Sequence, residues 1–178
     1  DSAKGKKEQV ADMFDKIAPK YDAMNRVLSA RTDIGWRKKA INILKKHSPK
    51  HILDVATGTA DMAIMTCKML NPEKIDGIDI SVGMLELGRK KIEKEQLTHK
   101  IELHTGDSET IKFADNTFDA VMVAFGVRNF ENLEKGLAEM KRVLKPGGQL
   151  IVLEFSKPRR KLIKGFYNLY MSIVAPQV

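Results

Sequence analysis

The sequence predicts a doubly wound α/β domain on a mainly parallel sheet, preceded by helices. Three observations carry this. From His51 onward, short apolar runs alternate with segments of helical periodicity. The apolar runs lack a polar face, as strands covered on both sides require. Three successive runs also end in turns that carry an acid: "DVATGT", "GIDIS" and "TGDS".

The elements follow in order. "EQVADMFDKIA" puts Val10, Met13, Phe14 and Ile17 on one helical face. Pro19 is expected to interrupt that helix, with a second short one over residues 21–28. Asp33 is expected to cap a helix through Trp36, Ala40, Ile41 and Leu44, ended by Ser48-Pro49. Strands are expected at 51–56, 74–80, 100–107, 118–126 and 149–156. Helices are expected at 60–70, 81–95 and 131–145, with only a short helix between the third and fourth strands. "PGG" (146–148) is read as the turn that launches the fifth strand. Right-handed crossovers then stack helices on both faces of the sheet.

The chain has 178 residues, 43% of them apolar, enough for one sizeable core. Within that single domain the predicted division is 1–48 as a helical lid, 49–158 as the binding core and 159–178 as the start of a substrate- or membrane-facing region. A single cysteine, Cys67, rules out an internal disulfide framework and fits a reducing compartment. No run approaches the roughly 18–20 apolar residues of a membrane span, so a cytoplasmic protein is expected. The net charge of +8 invites nucleic acid or an anionic membrane as partner. Against nucleic acid stands the lack of a basic stripe interleaved with stacking aromatics, and none is expected to bind. His47, His51, His99 and His104 show no metal-ligand spacing, and no metal is expected.

In doubly wound sheets, ligands sit beyond the carboxyl ends of the strands. That rule selects Asp54 to Asp61, Asp79-Ile80, Asp107-Ser108 and Ala124 to Asn129. A dinucleotide loop needs three glycines around its pyrophosphate. Here the three positions read Ala56, Gly58 and Asp61, with Asp54 just upstream. Two acids repel a pyrophosphate and suit a cation. S-adenosylmethionine carries a sulfonium, a nucleoside and an amino-acid end, without phosphate. Asp79, roughly 20 residues past Gly58, is placed to grip both ribose hydroxyls. Asp107 can accept from the adenine amino group, beside the Ser108 backbone. Each residue also has a structural alternative: an aspartate after a strand as a helix cap, Asp61 as a first-turn acid, Gly58 as a plain turn residue.

These residues, with "MFDKIAPKYDAMNRVLSARTDIGWR" (13–37), "FGVRN" (125–129) and "LEFSKP" (153–158), resemble class I methyltransferases. More narrowly, they resemble the C-methyltransferases of menaquinone and ubiquinone biosynthesis. The resemblance covers nearly the whole chain. It implies S-adenosylmethionine as methyl donor and a ring carbon of a prenylated quinol as acceptor. It also implies Thr59 against the methionine portion, Tyr21 closing the pocket, and Ala124 where some relatives have serine. Ala60 replaces a second glycine, which is tolerable if the backbone there is helical. The fold of the family has sixth and seventh strands, whereas five can be counted here, so those two are expected to be missing.

Arg128 and Asn129 are placed to stabilise the phenolate of an activated quinol; Arg128 can equally pair with an acid such as Glu131. The residues single out no general base. A membrane-resident substrate implies peripheral contact, at the inner membrane face. "RRKLIKGFYNLYMSIV" (159–174) joins basic and amphipathic residues as an interfacial helix would, or as a helix packing on the sheet would. The alternatives to a quinol enzyme are a methyltransferase of this fold on another phenol or lipid, and a basic RNA-binding or RNA-modifying domain.

Overall fold

A computed structural model of the chain describes residues 5–28 and 32–154. Residues 155–178, which hold the expected interfacial helix, lie outside the described residues.

The elements alternate as predicted: α1 (Lys6–Leu28), α2 (Thr32–Lys45), β1 (His51–Val55), α3 (Asp61–Leu70), β2 (Lys74–Asp79), α4 (Val82–Lys94), β3 (Ile101–Thr105), β4 (Phe118–Ala124), α5 (Leu133–Val143) and β5 (Leu144–Leu153). All four strand pairings are parallel, in the order β3-β2-β1-β4-β5. The order reverses direction between β1 and β4, which opens a crevice at their carboxyl ends.

Alternate side chains on each strand feed two cores. Ile52, Ile75, Ala120 and Met122 pack with Ile41 and Leu44 of α2, Met62 and Cys67 of α3, and Leu85 and Ile92 of α4. Leu53, Val55, Ile78, Val121 and Val123 pack on the other face with Met140 and Val143 of α5. Phe113 and Phe118 meet edge to face there, 5.0 Å between centroids. Both faces of the central strands are therefore dry, the physical reason their sequences lack alternation.

The structure corrects three expectations. Pro19 does not interrupt: α1 runs unbroken from Lys6 to Leu28. A proline withdraws one donor from the helical ladder, and here the helix continues past it. Asp33 lies inside the first turn of α2, buried and facing Arg37 one turn on. "PGG" belongs to β5, which starts at Leu144 directly after α5 and shifts register against β4 between Phe118 and Ala120. The bulge absorbs residues that read as a turn.

Between β3 and β4 the described chain forms no helix. It is tied to α5 instead. Arg142 donates to the carbonyls of Ile111 (2.8 Å) and Phe113 (2.9 Å) and to Asp115, while Glu139 accepts from the Ile111 N–H (2.9 Å).

Candidate active site

The loop after β1 sets the site. Ala56, Gly58 and Ala60 all have positive φ, at 53°, 56° and 63°. Ala60 is thus left-handed rather than helical, contrary to the condition set for tolerating alanine there. Each left-handed alanine costs about 1–2 kcal/mol. The Ala60 N–H donates to the Thr57 carbonyl (3.0 Å), the Thr57 N–H to the Ile78 carbonyl (3.0 Å), and the Ala60 methyl is fully buried. These contacts offset the strain, and strain of this kind collects at functional sites. Phe125, after β4, is also left-handed (φ 61°). A Cβ on Gly126 would meet the Ala56 Cβ at 2.6 Å, so glycine is what lets the β1 and β4 loops close on each other.

Asp79 closes β2. Its carboxylate accepts from the Gly58 N–H (2.8 Å) and the Ser81 N–H (2.9 Å), so its orientation is fixed by backbone. Burial raises its pKa against those amide contacts. Ile80 lines the cleft beside it.

Asp54 is 1% exposed and accepts from the Thr57 hydroxyl (2.7 Å). Burial pushes its pKa up to about 7, against that hydrogen bond and the charge of Arg37. Asp54 braces the loop as well as lining a small cavity with Arg37, Gly58, Thr59 and Ala124. Asp61 is a first-turn acid of α3, paired with Lys91, which also donates to the Thr59 hydroxyl (2.9 Å).

Asp107 and Ser108 follow β3 and line the cleft. The Asp107 carboxylate orders its own turn by accepting from the Glu109 N–H (2.9 Å). Its other oxygen accepts from Lys7 of α1 (2.6 Å), which also reaches Glu109 (2.9 Å). Burial works to raise the Glu109 carboxyl, but Lys7 and the Asn132 N–H outweigh it and hold it below its usual range.

Helix α1 is the roof. Val10, Phe14 and Tyr21 face the cleft, with Phe14 and Tyr21 edge to face at 5.9 Å. Asp15 accepts from the Ser81 hydroxyl and from the Gly83 N–H (3.0 Å), which clamps α1 onto the start of α4. The cleft is open to solvent at its mouth, with about 670 Å³ of empty space that includes that opening.

Asn129 lines the cleft on the β4 side. Arg128 is at the rim: half exposed, it pairs with Glu154 rather than Glu131. Lys7, Phe14, Arg37 and Glu109 were not singled out by sequence. Each depends on a contact between segments far apart in the chain, and the one local sign was Phe14 on the apolar stripe of its helix.

His51 and His104 flank the buried Asp76, at 2.6 and 2.8 Å. Asp76, Glu102 and His104 bring potential ligand atoms within 4.8 Å. The Lys74 ammonium already lies 3.2 Å from Asp76 and 2.9 Å from Glu102, which supplies that cluster with a cation. Among the described residues no helix is long and apolar enough to cross a membrane.

Comparison with known proteins agrees with this arrangement. A family model described as the ubiE/COQ5 methyltransferase family matches residues 2–178. A demethylmenaquinone methyltransferase of Bacteroides fragilis is 53% identical over 171 residues, 96% of this chain and 70% of that one. A ubiquinone/menaquinone biosynthesis C-methyltransferase of Geobacter sulfurreducens is 43% identical, over 97% of this chain and 68% of its own. Among solved structures, an S-adenosylmethionine-dependent methyltransferase from Aquifex aeolicus matches 69% of this chain and 70% of its own, with a TM-score of 0.57 and 26% identity. A parallel sheet with its cleft at the β1/β4 switch, and a family match across nearly every residue, lead to one conclusion: the chain belongs to the ubiE/COQ5 methyltransferase family.

Proposed function

We propose that this protein transfers a methyl group from S-adenosylmethionine to a ring carbon of a prenylated quinol, converting demethylmenaquinol to menaquinol or acting at the equivalent ubiquinone step. The observation that carries this reading is the 53% identity, across 96% of the chain, with a demethylmenaquinone methyltransferase.

The chemistry of the cleft supports it independently. Asp79, Asp107 and Glu109 line the cleft, and Lys7 is the sole base among the described residues that do so. A pyrophosphate would be repelled there, whereas a phosphate-free cationic nucleoside is attracted. In this reading Asp79, oriented by Gly58, holds the ribose. Asp107 and Ser108 hold the adenine, beside Ile80. Asp54, Gly58 and Thr59 surround the amino-acid end, with Ala124 across from them. Bound there, S-adenosylmethionine supplies an electrophilic methyl on its sulfonium. The chain's part is to align the acceptor carbon with that methyl and to exclude water, and alignment alone is worth a large share of the barrier. Tyr21 and Phe14 on the roof give the quinol ring an apolar wall. Asn129 is the polar group on the β4 side, and Arg128 at the rim adds positive potential for a phenolate. No metal enters this scheme. A prenylated acceptor resides in a membrane, so the protein meets it peripherally, at the cytoplasmic face.

The test is a mass-spectrometric assay with isotopically labelled donor, offering naphthoquinol and benzoquinol acceptors. Labelled methyl on a quinol ring is expected. Product only on an unrelated phenol or lipid moves the assignment to that acceptor. In parallel, Asp79→Ala should weaken donor binding by roughly a hundredfold in calorimetry; near-normal affinity refutes the assigned site.

A further inference from the structure

The loop between β1 and α3 is held from two sides. The sheet fixes its first half. The Thr57 hydroxyl donates to Asp54 (2.7 Å), the Thr57 N–H to the Ile78 carbonyl (3.0 Å) and the Gly58 N–H to Asp79 (2.8 Å). The second half, Thr59 to Asp61, carries the strain. Ala60 is the N-cap residue of α3, yet it supplies no side-chain cap and its backbone is left-handed (φ 63°, ψ 18°). An alanine in that conformation relaxes toward right-handed backbone unless its neighbours hold it.

Helix α4 reaches this second half. Lys91, in its last turn, donates to the Thr59 hydroxyl (2.9 Å) and pairs with the Asp61 carboxylate. One ammonium thus spans the two residues that flank Ala60. Thr59 is buried, whereas the Lys91 side chain is 28% exposed, so the grip comes from the outside. Gly88, about one turn earlier, lets α4 approach this closely. A Cβ there would stand 3.3 Å from both the Thr59 carbonyl carbon and the Ala60 Cβ, and 2.8 Å from Leu103 Cδ1. Lys91 forms no part of the walls of the cleft or of the small cavity that Thr59 and Asp61 share. It acts on the loop from behind.

We propose that Lys91 is a positioning residue for donor binding: from α4 it holds Thr59, Ala60 and Asp61 in the strained turn that the donor meets. This role presupposes the S-adenosylmethionine pocket proposed above. It differs from that of an ordinary partly exposed ion pair, whose loss is of little consequence. A tether on a strained turn acts on ligand affinity. Without it the turn relaxes in the free protein, only a fraction of molecules is competent to bind, and the apparent affinity falls by that fraction. The acceptor's side of the reaction is left alone.

The experiment measures S-adenosylmethionine affinity by calorimetry in the wild type, in Lys91→Met, and in Lys91→Met combined with Ala60→Gly. Lys91→Met should bind the donor roughly tenfold more weakly, as the left-handed cost of one alanine allows. Its melting midpoint should stay within about 4 °C of the wild type, since a partly exposed ion pair adds little to stability. The KM for a quinol acceptor at saturating donor should not change. Adding Ala60→Gly should recover donor affinity to within about threefold, because glycine holds a left-handed backbone without strain. Wild-type affinity in Lys91→Met overturns the role. So does a double variant as weak as the single one, which would mean that Lys91 does not act through the turn. If Lys91→Met does not fold, Lys91→Gln decides: it keeps a donor for the Thr59 hydroxyl but loses the ion pair, and undiminished affinity in it overturns the role. Wild-type protein that binds no S-adenosylmethionine refutes the donor pocket itself, a different outcome from wild type and variant binding it alike.

Discussion

Asp54 is buried among groups that only partly compensate it, and burial raises its pKa from 3.8 to about 7. The sign of the consequence is fixed by linkage. In the unfolded chain the carboxyl releases its proton near 3.8; in the folded chain it keeps it to about 7. Between those values the native state binds more protons, so stability falls as pH rises through the window and levels off above it. Asp54→Asn has no proton to lose and can still accept from the Thr57 hydroxyl. Denaturant melts from pH 4 to pH 8 should show the variant gaining about 2–4 kcal/mol on the wild type, since each pKa unit is worth about 1.36 kcal/mol. Parallel curves would mean that Asp54 is already ionised at pH 4 in the folded protein. At this scale Asp79, Gly58 and Asp107 were legible, because strand ends and turn residues announce themselves within a few positions. Arg37 was not. A lone arginine on a polar-looking helix has no local signature, and its burial under the β1 loop is a tertiary fact. Ala60 showed the same limit: the missing glycine was visible, but its left-handed backbone was not.

Helix α1 couples the roof to the site through two attachments. Asp15 sits on the N-terminus of α4, where it accepts from the Ser81 hydroxyl and the Gly83 amide, a favourable place for a carboxylate. Lys7 occupies Asp107 and Glu109, and those two carboxylates hold its pKa above the ordinary lysine value. In the proposed function Asp107 is the adenine acceptor, so the donor has to displace Lys7. Lys7→Met removes the competitor and keeps an unbranched side chain of similar length on the roof helix. Donor affinity should therefore rise, by up to about fivefold given that solvent-accessible ion pairs are worth at most about 1 kcal/mol, with faster association in stopped flow. A loss of affinity would make Lys7 part of the binding site instead. The amphipathic face of α1 could be read from sequence. Its continuity through Pro19 could not, because proline weighs strongly in any local reading while a helix fixed at several points along its length tolerates one missing donor.

Across the whole molecule, the parallel polarity of the strands was the easiest feature to read. Runs such as "HILDV" and "FDAVMVA" are apolar on both faces, and only a doubly covered parallel sheet accepts several of these in one small domain. Charge was the misleading signal. The protein carries +8, yet its cleft gathers Asp79, Asp107, Glu109 and Glu131 around a single lysine. Net charge governs long-range encounter, while the local field governs what enters the site. The two make opposite forecasts. If the positive excess serves RNA, binding should weaken steeply with salt and RNA should compete for the cleft. If the cleft serves a cationic nucleoside, the attraction comes from a few partly buried acids, which salt screens only weakly. Raising NaCl from about 0.05 to about 0.5 M should then weaken S-adenosylmethionine binding by no more than about tenfold. Saturating single-stranded RNA should leave that binding unchanged. Competition by RNA at physiological salt would place a polyanion in the cleft and overturn the acidic-pocket argument, because no arrangement of these carboxylates around one lysine attracts both ligands.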